Sequence, residues 1–187
     1  MIPSTAAIQV LNRQRQIRID SEAVKIFCGA LAVSLGFPDQ AFSVIFAGAA
    51  EMRRLNRVWR KKDRATDVLS FSYGGDIVDG MPFLGEIVVA PEIAARQAAE
   101  YGVTPENETR KLIVHGALHL LGYDHETDGG EMMRLQKRVL RRRFFAQAPE
   151  LILQEKGVWQ HPQTPKSRLA SETKAEFTVR VNEHFVE

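Results

Sequence analysis

A chain of 187 residues, 44% hydrophobic and 26% charged, has the size and balance of one soluble globular domain able to bury a core. No run reaches the eighteen or so apolar residues of a membrane span, and the N-terminus lacks the apolar block of a secretory signal. The lone Cys28 excludes an internal disulfide and suits a reducing compartment, so a cytoplasmic protein is expected, and the net charge of +2 gives no global pull toward a polyanion.

In chain order, Ile8–Leu11 and Gln16–Ile19 read as short strands around a polar turn. Asp20 or Ser21 then caps a helix that runs to about Leu35 and closes at Gly36. Phe42 to Ala47 is rich in strand formers. Ala49 to Trp59 sets Met52 and Leu55 against Arg53, Arg54 and Arg57, the pattern of an amphipathic helix. Asp67 to Ser72 alternates as a half-buried strand, Gly74-Gly75 to Pro82 reads as a turn-rich loop, and Leu84 to Ala90 as a buried strand. Pro91 opens a helix to about Tyr101-Gly102. Asp128 caps a last one from about Gly130 to Phe144, where the core is expected to end. Beyond it, Gln147 to Arg168 is broken by Pro149, Pro162 and Pro165, and Glu176 to Val181 alternates like a strand in need of an edge. Strands mixed with helices, without a glycine-rich phosphate loop, indicate an α+β fold: one small mixed sheet of about four strands packed with helices.

The most informative segment is His115-Gly116-Ala117-Leu118-His119-Leu120-Leu121-Gly122-Tyr123-Asp124-His125. Thr104 is a good N-cap, Pro105 fits the first helical position, and Gly122 suits a left-handed stop, so a helix is expected between them. On it His115 and His119, four residues apart, share a face. A reversal at Gly122 would bring His125 back over that face, so that three neutral imidazoles hold one ion and leave its far side open. An open position is what catalytic metal sites keep. His161 and His184, in a differently composed tail, carry no such pattern and are read as ordinary residues.

The spacing H-x-x-x-H-x-x-G-x-x-H is also that of metzincin peptidases, in which a Glu after the first His is the general base. Here that position is Gly116. Basic residues gather in two clusters: Arg53, Arg54, Arg57, Arg60, Lys61, Lys62 and Arg64 around Trp59, and Arg134, Lys137, Arg138, Arg141, Arg142 and Arg143. Either could track a phosphate backbone with Trp59 as a stacking surface, or be a solvated helix face with Trp59 buried.

Leu55-Asn56, Trp59 to Asp63, Thr66 to Phe71, Leu84 to Val88 and the histidine segment, in this order and spacing, resemble the YbeY family of bacterial rRNA maturation factors, single-strand-specific endoribonucleases. The resemblance covers about residues 5 to 145. It implies a YbeY-like domain over 1–145 and an extension over 146–187 to which no function carries. It further implies one Zn²⁺ on His115, His119 and His125, with a functionally important arginine on Arg60 and, less directly, Lys62 beside it. Most relatives have Asp where this chain has Glu86, and many have Pro where it has Ala65. Implied partners are single-stranded rRNA precursor and the small ribosomal subunit, with a platform protein and a ribosome-associated GTPase, and no membrane. The implied role is maturation of the 16S rRNA 3′ end and ribosome quality control.

Two other readings compete. In one, a non-catalytic assembly factor uses the ion to staple the loop from Gly122 to His125 onto its helix. In the other, a metallopeptidase uses Glu126 or Asp124 as base.

Overall fold

The computed structural model describes residues 7–142, 145 and 148–153. Its sheet has four strands, β1 (Ile8–Asn12), β2 (Ala41–Phe46), β3 (Val68–Val78) and β4 (Met81–Val89), in the order β1-β2-β4-β3. The first three neighbours run parallel, and β3 pairs antiparallel with β4 and forms one edge. Five helices accompany it: α1 (Ser21–Leu35), α2 (Ala49–Arg60), α3 (Pro91–Tyr101), α4 (Pro105–Leu120) and α5 (Glu131–Leu140). This is the expected α+β arrangement.

Alternation along the strands divides the apolar residues between two faces. On one, Val44, Phe46, Val68, Ile87 and Val89 share a core with Phe27 and Leu31 of α1, Ile113 and Leu118 of α4, and Met132 and Val139 of α5. On the other, Ile45, Leu69, Phe71 and Val88 meet Met52 of α2 and Ile93 of α3. Each fully buried Phe or Leu of these clusters contributes roughly 1.5–3 kcal/mol by leaving water. Cys28 lies in the first core at 0% exposure, where burial pushes its thiol pKa up and leaves it a packing residue.

Three expectations need correction. Gln16–Ile19 is not a strand. Gln14 binds both Ile17 N–H and Ile17 carbonyl, closing a local turn, and Ile19 makes only an isolated bridge to Ile152. The segment after Ser72 is not a loop but a continued strand: Gly74 and Gly75 take positive φ where the register shifts, and pairing resumes at Asp76–Phe83. The reversal falls on Asp79-Gly80, both at positive φ, the pair that a two-residue hairpin turn favours.

Nor does the core end at residue 144, which itself lies outside the described residues. Leu151 is wholly buried, and Glu106 accepts the N–H groups of Leu151 and Ile152. Arg110, ion-paired with Glu106 at 2.6 Å, donates to the carbonyls of Phe145, Ala148 and Pro149. One buried ion pair on α4 thus ties down the segment that a proline-based reading leaves peripheral. The strand expected at Glu176 to Val181, with His161 and His184, falls outside the described residues.

Candidate metal centre

The histidine helix forms for the reasons its sequence suggests. Thr104 Oγ1 accepts the N–H of Asn107, Pro105 opens the first turn, and Gly122 takes φ +89°. Leu118 carbonyl receives Tyr123 N–H at 3.1 Å, closing the turn that returns the chain over the helix end. His125 follows two residues later, and its ring centroid lies 5.2 Å from that of His115 and 5.3 Å from that of His119. One donor nitrogen from each ring falls within 4.8 Å of the other two. Among the described residues no fourth His, Cys, Asp or Glu joins this group.

The hydrogen bonds settle which nitrogens face inward. His115 Nδ1 lies 2.9 Å from Gln136 Oε1, and His119 Nδ1 lies 2.8 Å from the Tyr123 carbonyl. Both partners can only accept, so each Nδ1 carries the proton and each neutral ring turns its Nε2 lone pair into the cluster. Those two Nε2 atoms are 3.1 Å apart. Two lone pairs at that distance repel unless a proton or a cation lies between them. Burial, then the repulsion that a protonated His115 would exert, pushes the His119 pKa down to about 3, which disfavours the proton. A cation fits: two bonds of about 2.0–2.1 Å to a tetrahedral ion set the nitrogens roughly 3.3 Å apart. His125 Nδ1 is buried with no hydrogen-bond partner among the described residues, a further sign of a donor set built for something else.

Arg60 and Lys62 lie at the end of α2 and in the turn that follows it. Arg60 ends α2, half-buried, and Lys61 takes the left-handed conformation with its N–H on Asn56 carbonyl. Fully buried Asn56 donates Nδ2–H to the Arg64 carbonyl at 2.8 Å, which fixes the turn that carries Lys62. Trp59 is 36% exposed and packs edge-on against Phe71 with centroids 5.8 Å apart, so it is neither the free stacking platform nor the buried residue of the sequence alternatives. A pocket of about 140 Å³ opens beside it, lined in part by Arg54, Phe71, Tyr73 and Glu86. Helices α4 and α2 therefore pack on opposite faces of β3. α4 lies over Ser70 at Gly116, while α2 packs through Trp59 on Phe71. Helix α4 and strand β3 meet closely at Ser70. Of the second basic cluster, Arg134, Lys137, Arg138, Arg141 and Arg142 are exposed, a solvated face with Arg142 bound to Ser34.

Sequence comparison decides among families. The family profile described as Endoribonuclease YbeY matches residues 9–143. The chain belongs to the YbeY family. A protein of Solibacter usitatus named Endoribonuclease YbeY is 52% identical over 97 residues, which cover 52% of this chain and 62% of that protein. The chain thus spans less than two thirds of that relative. The Aquifex aeolicus protein of the same name is 37% identical over 129 residues, 69% of this chain and 85% of the relative. The solution structure of TM1509 from Thermotoga maritima matches with a TM-score of 0.50 and 32% identity, covering 70% of this chain and 85% of that one.

Within this YbeY-family site the structure gives Gly116 a packing role, its side of the helix facing Ile87 and Ser70 of the sheet. It also adds a residue that the sequence reading missed, Gln136. It lies at 5% exposure on the α5 face that carries Met132 and Val139 inward, and a polar residue on an apolar stripe was the available signal.

Proposed function

We propose that this chain is a metal-dependent endoribonuclease that cleaves single-stranded RNA with one Zn²⁺ held by His115, His119 and His125. What carries the reading is the convergence of three imidazoles, two of them oriented by acceptors on Nδ1, with no fourth protein donor among the described residues. An ion with a free vertex supplies Lewis-acid polarisation of a phosphodiester oxygen. Arg60, permanently charged and fork-shaped, is suited to clamp the phosphate and offset the charge that grows on it in the transition state, and Lys62 adds a second positive charge from the same turn.

The family's name supports endoribonuclease activity, and the absence of a carboxylate at position 116 removes the base on which peptide hydrolysis would rely. The role we assign is late maturation of small-subunit rRNA at the 16S 3′ end and ribosome quality control in the cytoplasm. The partners are the precursor rRNA and the small subunit, with a platform protein and a ribosome-associated GTPase. No helix among the described residues is long and apolar enough to cross a membrane. The catalytic unit is assigned to 1–145, and the extension 146–187 is given no activity.

The test is end-mapping of an rRNA precursor incubated with zinc-loaded wild type, His115→Ala and Arg60→Ala. Cleavage should require both residues while circular dichroism shows the fold retained. An undiminished rate in either purified variant would trace the activity to a contaminant and leave the ion a structural staple.

A further inference from the structure

We propose that Gln136 is a positioning residue for the metal centre, fixing the tautomer and ring plane of His115, and that through it α5 docks more firmly when the ion is bound. This rests on the metal reading above. A buried amide is costly unless its polar atoms are satisfied, and at this point of the α5 stripe an apolar side chain would fill the same space without that cost. The amide oxygen instead sits 2.9 Å from His115 Nδ1. Supporting acceptors of this kind commonly set the orientation and basicity of a ligating imidazole.

His119 takes the equivalent support from a backbone oxygen, that of Tyr123, which the helix-terminating turn presents whatever the side chain. His115, one turn earlier, has no turn to draw on and takes its support from another helix. The segment after Gly122 thus contributes twice to the centre, with His125 as a donor and Gln136 as a support 11 residues on. The start of that stretch is held just before His125 by Asp124, whose carbonyl accepts the N–H groups of Thr127 and Asp128. Asp128 in turn caps α5 through Gly130 and Met132 N–H, each at 2.7 Å. Two attachments through one short, capped connection make ion binding and the seating of α5 a single event.

The test measures zinc affinity by competition with a chromophoric chelator for wild type, Gln136→Met and Gln136→Glu, with amide hydrogen exchange across α5 before and after zinc. Gln136→Met keeps the volume and loses the acceptor; zinc binding should weaken about 10–100-fold. Gln136→Glu keeps an acceptor and should bind at least as tightly as wild type. In wild type, zinc should slow exchange in α5, and in Gln136→Met this effect should shrink. Equal zinc affinity in wild type and Gln136→Met, or a Gln136→Glu loss as deep as that of Gln136→Met, overturns the proposal while the three-histidine site stands. If wild type takes up no zinc, the metal reading falls and this one with it. Should Gln136→Met fail to fold, nitrogen NMR of the zinc-loaded wild type decides, since a His115 protonated on Nε2 rather than Nδ1 is incompatible with the role.

Discussion

Gly116 and Ile87 approach so closely that a methyl group on the glycine would lie 2.5 Å from Ile87 Cγ2 and 3.0 Å from Ser70 Oγ. The glycine beside the first histidine is therefore a packing requirement: it lets α4 settle onto β3 and β4 and sets the height at which the imidazoles stand. Gly116→Ala should destabilise the fold by about 1–3 kcal/mol, the usual cost of overpacking, despite alanine's better helix propensity. Gly116→Glu should cost more and create no peptidase, because its carboxylate would be driven into the sheet rather than toward an ion. Urea denaturation of both variants, with a peptide-hydrolysis assay on the second, checks this. A Gly116→Ala protein as stable as wild type would mean that helix and sheet can separate at little cost.

What the sequence made legible was local. The i, i+4 histidines, their caps and the left-handed Gly122 all act within about twenty residues, and the structure reproduces the helix and the convergence at its end. Helix α1 shows the same: Asp20 is the cap, accepting Glu22 and Ala23 N–H, and Gly36 is the stop. What was missed depends on distance or on a competing signal. Gly74-Gly75 looked like a turn and hid the true one at Asp79-Gly80 a few residues on. The burial of Leu151 rests on Glu106 and Arg110, more than 40 positions away, and no periodicity in the tail announces it. Gln136 required knowing that α5 returns against the histidine face. That α4 and α2 pack on opposite faces of the sheet is a consequence of its topology, which no motif records.

Acid should unfold the metal-free protein through His119. Its imidazole, at 2% exposure, has its pKa lowered from 6.5 to about 3 by burial and by the neighbouring His115. In the unfolded chain it protonates near 6.5, so between these values the unfolded state holds the extra proton, and stability falls as pH drops. The full stability is present above about pH 6.5 and is lost progressively toward pH 3, with a slope from this group of at most about 1.4 kcal/mol per pH unit. Denaturant melts of chelated protein from pH 8 to 4 should show that decline. Saturating zinc, which binds only the neutral rings, should move its onset to lower pH. A chelated protein whose stability is flat between pH 7 and 4.5 would mean that His119 is solvated or already charged when folded.

The basic turn offers a way to damage substrate contact without touching the metal. Asn56, fully buried, holds the Arg64 carbonyl with its side-chain Nδ2–H, while its backbone carbonyl accepts Lys61 and Lys62 N–H, the latter at 3.3 Å. Removing the side chain leaves the Arg64 carbonyl unpaired and frees the turn that follows Arg60. Asn56→Ala should therefore cost about 1–3 kcal/mol in stability and lower RNA cleavage about tenfold, with zinc affinity unchanged. Asn56→Asp should be no better, since a carboxylate of the same shape offers no donor and sets its charge against a carbonyl oxygen. Parallel measurement of zinc affinity, unfolding and cleavage separates these effects. If cleavage survives in Asn56→Ala at the wild-type rate, ordering of the turn is irrelevant to the reaction, and the part assigned to Arg60 and Lys62 must be given to other cations. If zinc affinity falls with it, Asn56 supports the metal centre as well, and the loss of cleavage cannot be assigned to the basic turn alone.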